Sequence, residues 1–463
     1  PPRSTQGVSS AASDVYKRQE FERSEGAYLY TKDGRKILDA AGGAIVSNIG
    51  YGREEVAEAV ANALKSNTYV LPPFLTPERE ALLDELREYW LPPHLTRIHL
   101  SSGGSEANES AVKLAIQYQA SRGKPEKNII LTRNLSYHGT TLNMSGISGH
   151  IARKRGLESY VPKPVSIETP YPLRCPIGSF HPDAKDYYLD DLRDTIKKIG
   201  ANKIAALLME PINGSSGGAI SPPDGYWLEA QEILKENDIL LIADEVMTGF
   251  GRVGTDFASN LYQLEPDILI AGKGMGGGYA AIGGTYSTDE IADSIQKAGY
   301  EVMFHTFAAL PQSCAASCAV LKILREEKLC NRVEPLGNKI IERLTKKLGQ
   351  HPHVAEIRGK GLLIGIEIVQ NKSSLEPFPE EHKITGQVMQ KGLEQGVFLY
   401  PGGTGEYRDI ICIGPAFIIE DSEIDQIVEV AESSIKAVTE PVSYTHLRAH
   451  ETEADLVCRL LLE

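Results

Sequence analysis

Four continuous apolar runs punctuate the middle of the chain: Ile129–Thr132, Ile204–Met209, Ile239–Ala243 and Ile268–Ala271. Their residues do not alternate polar with apolar. Each therefore suits a strand buried on both faces, as in a parallel sheet covered by helices. Amphipathic helices such as Leu189–Ile199 and Gly225–Asn237 are expected between them. Strand and helix in turn predict an open α/β sheet whose ligand site lies beyond the carboxyl ends of the strands.

The flanks read differently. Tyr28–Tyr30, a turn at Lys32-Asp33-Gly34 and Lys36–Leu38 make a hairpin, and Glu54–Ser66 makes a helix. After Pro311 come two long helices, a strand at Leu362–Ile368, another helix, and strands near Val397–Tyr400 and Ile410–Ile413. The expected layout is a large domain over 67–310 and a smaller α+β domain assembled from 20–66 and 311–440. The two ends stand apart. Ser9–Gln19 (SSAASDVYKRQ) and Val442–Thr452 (VSYTHLRAHET) resemble translated sequencing-adapter sequence, so 1–19 and 441–463 are expected to be foreign to the fold.

Composition narrows the function. A formal net charge of -14 argues against nucleic acid, whose phosphates need clustered Lys and Arg. No apolar run is long enough to cross a bilayer. Six cysteines without a C-x-x-C pair fit neither a zinc site nor a disulfide framework. No metal is expected, and a reduced, cytoplasmic setting is the default. Cys314 and Cys318, four apart on a helix, read as core.

Several short segments can carry chemistry. Ser101–Asn108 (SSGGSEAN) follows an apolar stretch, Ile98–Leu100, and opens a helix. Glycines and free N–H groups there suit a phosphate, and the same residues also suit a plain helix cap. Asp244-Glu245 ends the strand Ile239–Ala243. Asp244 can face a protonated heteroaromatic nitrogen, or pair structurally with a base such as Arg252. A magnesium role would need a G-x-x-x-x-G-K-[ST] loop, which is absent. Lys273 lies between glycines after the strand Ile268–Ile270, where desolvation would make its amine nucleophilic. Gly272, Gly274 and Gly277 match the dinucleotide pattern G-x-G-x-x-G. The apolar run Ala280–Thr285 follows too soon for the helix that pattern requires. Tyr137-His138-Gly139 follows Ile129–Thr132, and the tyrosine can stack on a flat ring or simply pack. His138 lacks the H-x-x-H spacing of a metal ligand.

Taken together, G-S-E-A-N (Gly104–Asn108), Y-H-G (Tyr137–Gly139), E-P (Glu210-Pro211), D-E-V-M-T-G-F-G-R (Asp244–Arg252), G-K-G (Gly272–Gly274) and H-T-F (His305–Phe307) resemble the class III aminotransferases. The resemblance covers nearly all of residues 20–440. It implies a fold-type-I enzyme dependent on pyridoxal 5'-phosphate (PLP) that works as a homodimer with shared active sites. Lys273 would be the Schiff-base lysine and proton carrier, and Asp244 would keep the pyridine nitrogen protonated. Tyr137 and Val246 would cover the two ring faces, with His138 and Glu210 close by. Gly104 and Ser105 would bind the phosphate, joined by Thr306 from the neighbouring subunit.

The same resemblance bears on substrate. Ornithine and acetylornithine aminotransferases grip the donor carboxylate with an arginine before the final proline motif. Cys412 stands there, and a thiol cannot make that contact. This favours the ω-aminotransferase branch, with an amine, β-amino acid or ω-amino acid donor and a keto acid such as pyruvate as acceptor. Arg408 is a candidate for the acceptor carboxylate, or a solvated loop charge. Family members often carry a tryptophan where this chain has Ala44-Ile45, which implies a roomier, more aliphatic pocket. An aminomutase or racemase of the same fold, and an inert truncated scaffold, are the alternatives.

Overall fold

The computed structural model describes residues 20–301 and 304–440, so both adapter-like segments lie outside the described residues. The chain opens with β1 (Phe21–Glu25), β2 (Tyr28–Thr31) and β3 (Lys36–Asp39), paired antiparallel in sequence order. The expected hairpin is β2–β3. β1 is exposed along its whole length, so it carries no apolar period that would mark it in advance.

A seven-stranded sheet fills the centre. Its strands are β4 (Arg97–Ser101), β5 (Ile129–Arg133), β6 (Val165–Ile167), β7 (Ile204–Met209), β8 (Leu240–Asp244), β9 (Ile268–Ala271) and β10 (Gly283–Ser287). Their order is β4-β10-β9-β8-β7-β5-β6. From β6 to β9 every neighbour is parallel, while β10 runs against both β9 and β4. Every residue of β7, β8 and β9 is buried, which is why these runs show no alternation. The helices Ala184–Ile199 and Tyr226–Glu236 share one core with Leu207, Met209 and Leu241. The helix Gly104–Ser121 covers the other face over Ala206, Leu208 and Ile242. β8 begins and ends one residue later than the apolar run, so Asp244 is itself the last strand residue. After β9 the chain makes a single turn at Lys273–Met275 and enters β10 without a helix. That removes the dinucleotide pattern.

The helices Pro311–Glu326 and Cys330–Leu348 lead to β11 (Val354–Lys360), β12 (Leu363–Ile368), β13 (Val397–Phe398), β14 (Tyr400–Gly402) and β15 (Ile410–Ile413). Four of these form an antiparallel sheet in the order β11-β12-β15-β14. β13 leaves that sheet and pairs in parallel with β3, placing Val397 opposite Leu38 and Phe398 opposite Asp39. One apolar core joins Leu38 and Ile49 from the amino-terminal flank, Leu100 and Leu269 from the central sheet, and Ile366 and Ile424 from the carboxyl-terminal flank. Cys314 and Cys318 are buried in it. Among the described residues no helix is long and apolar enough to cross a membrane, and no cluster of side chains suits a metal ion.

Candidate active site

The carboxyl ends of β4, β5, β7, β8 and β9 face the same way, because β10 alone is reversed. The segments that leave them converge on one cleft of about 180 Å³. Gly104 and Ser105 follow β4, Tyr137 and His138 follow β5, and Glu210 follows β7. Asp244 and Val246 come from the end of β8, and Lys273 follows β9. Eight of the expected site residues thus line one pocket.

Asp244 is held on three sides. Oδ1 accepts from the Val246 amide at 3.0 Å. Oδ2 lies 2.8 Å from His138 Nδ1 and accepts from Asn108 Nδ2 at 3.1 Å. His138 and Asp244 are both buried, and the imidazole's other nitrogen, Nε2, has no partner. The histidine therefore orients the carboxylate. The alternative pairing with Arg252 does not form. That guanidinium donates instead to the carbonyls of Ser47 at 2.7 Å, Pro415 at 2.6 Å and Leu362 at 3.2 Å. It ties the amino-terminal loop to the final proline motif.

Lys273 sits with φ 37° at the turn after β9. Desolvation pulls its amine down to about 8, against the opposing charges of Asp244 and Glu210. Asn48 Nδ2 donates to the next residue's carbonyl, Gly274 O, at 2.8 Å and fixes the turn. Glu210 accepts from Gly214 N at 2.8 Å, and from Tyr137 N and Arg133 Nη2 at 3.3 Å each. It orders the peptide that carries Tyr137.

The phosphate side is shaped by missing side chains. A Cβ on Gly104 would come within 2.9 Å of Val246, and one on Gly139 (φ 135°) within 2.6 Å of the Ser105 hydroxyl oxygen. Together they leave the start of the helix Gly104–Ser121 open to the cleft, where its first N–H groups suit an anion.

Other expected residues lie elsewhere. Thr306 is exposed and does not line this pocket. Ile45 is buried with φ 56°, a conformation β-branched residues avoid, and packs in a cluster with Ile212, Met247 and Cys412. Ile212 and Met247 line the pocket as its apolar wall, and Ile45 and Cys412 pack in the same cluster without lining it. Ala44 is exposed and lies outside the lining. Burial raises the Cys412 thiol to about 12, so it is inert packing. Arg408 does not line this pocket either: its guanidinium donates to the carbonyls of Gly405 and Phe378. Asn108, Ile212, Ser215 and Met247 also line the pocket and were given no role from the sequence. Asn108 sits inside the G-S-E-A-N run one helical turn from Gly104. Met247 sits inside the motif that begins at Asp244.

The cleft thus offers a desolvated amine, a fixed carboxylate, an aromatic face and an anion-ready helix start. These match the aldehyde, ring nitrogen, ring and phosphate of PLP, and the orphaned His138 nitrogen marks a polar interior. Comparison with known proteins points the same way. The family model for class-III aminotransferases matches residues 10–435. An uncharacterized aminotransferase of Bacillus subtilis, YodT, is 34% identical over 421 residues, spanning 89% of this chain and 94% of the relative. The putrescine–pyruvate aminotransferase of Pseudomonas aeruginosa is 32% identical over 417 residues, covering 89% of each chain. The PLP-bound structure of an amine transaminase from an uncultivated Pseudomonas species superposes with a TM-score of 0.88 at 29% identity, covering 95% of this chain and 99% of that one. These relatives favour transamination over the mutase, racemase and inert-scaffold alternatives. The chain belongs to the class-III aminotransferases, PLP-dependent enzymes of fold type I.

Proposed function

We propose that this enzyme moves an amino group from an alkyl amine or ω-amino acid to a small keto acid such as pyruvate. The observation that carries this reading is the meeting of Lys273, Asp244, Tyr137 and the Gly104 helix start in one cleft. PLP, when bound, supplies the electron sink for the reaction. Lys273 would hold the cofactor and then carry the proton between the substrate carbon and the cofactor. Asp244, oriented by His138 and Asn108, would keep the ring nitrogen protonated. Tyr137 and Val246 would enclose the ring, and Glu210 would steady the Tyr137 peptide. Gly104 and Ser105 would bind the phosphate together with Thr306 of the partner subunit. The apolar wall of Ile212 and Met247, backed by Ile45, suits a donor with an apolar body, and Cys412 gives no charge there.

The homodimer belongs to this proposal. Phe74, Leu75 and Phe304 line a second, open depression and are exposed, as is neighbouring Phe307. Exposed apolar side chains gathered in this way suit a partner's surface. We also assign 20–66 and 311–440 to the smaller domain, 67–310 to the larger one, and the cytoplasm as the setting.

A spectrum and a substrate panel test the reading. Purified holoenzyme should be yellow, and a productive amine should bleach that absorbance while pyruvate is converted to alanine. Lys273→Ala should still bind the cofactor, with turnover lowered by at least about a thousandfold. Turnover without any keto acid, or substantial activity in Lys273→Ala, would overturn it.

A further inference from the structure

Arg153 belongs to a basic run, Arg153-Lys154-Arg155, which by charge alone is an ordinary solvated face. The structure separates the three. Lys154 Nζ donates to the Gly146 carbonyl at 2.8 Å, and Arg155 pairs with Glu380 at 2.8 Å. Arg153 makes no ion pair with a carboxylate among the described residues. Its guanidinium lies over the ring of Tyr137, 4.6 Å from the centroid, and Nη1 donates to the phenol oxygen at 3.4 Å. Tyr137 lines the cleft, so this charge stands at its edge.

The other arginines near the cleft are committed. Arg252 is buried on three backbone carbonyls, Arg133 is buried against Glu210, and Arg408 is held by Gly405 and Phe378. Arg153 is also the one whose backbone is firmly mounted while its side chain stays exposed. The Thr404 hydroxyl accepts from the Ala152 amide at 3.2 Å. A Cβ on Gly405 would come within 3.1 Å of Ile151, so the turn Ile151–Arg153 is seated closely on that loop. The charge of Arg153 is felt in the cleft, where it adds a little to the desolvation that lowers the Lys273 amine. His150, the aromatic neighbour of Tyr137 at 5.8 Å, is pushed down to about 4 by burial and then by Arg153, so it adds no second charge at neutral pH.

We propose that Arg153, stacked on Tyr137 at the rim of the cleft, recognises the carboxylate of the keto-acid acceptor and of any ω-amino acid donor. The proposal rests on the transaminase reading above. A guanidinium presents two parallel N–H donors to a carboxylate, and an aromatic face beside the pair excludes water that would weaken it. It assigns to Arg153 the contact that Cys412 and Arg408 do not make.

The test uses holoenzyme, one amine donor and two acceptors of similar size, pyruvate and propanal. In Arg153→Gln, the ratio of kcat/KM for pyruvate to that for propanal should fall at least about tenfold, mainly through KM, which is about 1.4 kcal/mol of discrimination. Arg153→Lys should recover part of it. Propanoate, a carboxylate that cannot react, should inhibit the native enzyme competitively and bind the Gln variant at least about tenfold more weakly by calorimetry. An unchanged acceptor ratio would mean that Arg153 merely steadies Tyr137, and unchanged propanoate binding would equally overturn the proposal. Failure of the parent reading looks different: the native enzyme would aminate neither acceptor, while the propanoate measurement would still judge Arg153.

Discussion

Lys273 has a lowered proton affinity because of where its charge is placed. Its amine loses water contact, and Asp244 and Glu210 return only part of that loss, leaving it at about 8. Below that pH the ammonium dominates and cannot attack an aldehyde; above it the free amine dominates. Capture of PLP by the apoprotein should therefore quicken about tenfold per pH unit up to about pH 8 and then level off, as followed by the growth of visible absorbance. Asp244→Asn removes a charge that favours the ammonium, so its midpoint should move down. A profile still climbing at pH 10 would mean an ordinary, solvated lysine. Much of this was legible in the chain: a lysine between glycines at the end of a doubly buried strand has few bland uses. The His138 contact to Asp244 was not, because no local pattern joins residues whose meeting depends on the sheet order. Arg153 was hidden in the same way, since its run of charge has the composition of any solvated turn.

At the scale of elements, β12 is held by an ion cluster under the sheet. Glu367 accepts from Arg358 Nη1 and Arg174 Nε, each at 2.7 Å, and from the Tyr171 hydroxyl. Arg358 also donates to the carbonyls of Gly218 and Gly217, at 2.8 and 2.5 Å, in the loop that follows Glu210 by a few residues. Removing the carboxylate leaves buried guanidinium charge without its counterion. Glu367→Ala should cost about 3–5 kcal/mol in denaturant unfolding, and Glu367→Gln less, because an acceptor remains. A loss below about 1 kcal/mol would show the cluster to be ornamental. Elements with a strong apolar signal, β7 and β9, had their limits readable from composition alone. β1, β6 and β11 did not: β1 is wholly exposed, β6 has three residues, and β11 is half-buried without clean alternation. Their pairing is set by neighbours distant in the chain.

For the whole molecule, the exposed Phe74, Leu75, Phe304 and Phe307 make the association state decisive. Sedimentation should find a dimer at micromolar concentration. Leu75→Asp should shift it towards monomer and weaken PLP retention, because the proposed shared site would then lose the partner's Thr306 from each phosphate site. A native monomer with full activity would remove the shared-site proposal. The single core that links both flanks to the central sheet predicts that such losses spread instead of staying local. One pairing gives this a temporal meaning. Asp39 accepts from the amides of Ala41 and Gly43 and so shapes the loop that places Ile45, yet its strand is completed by Val397 and Phe398. During synthesis on the ribosome the amino-terminal strand that backs the cleft must wait, unpaired on that side, until Val397 and Phe398 emerge. Lys273 and Asp244 are made long before those strand partners, so the loop that carries Ile45 settles last, behind a cleft whose lining residues already exist.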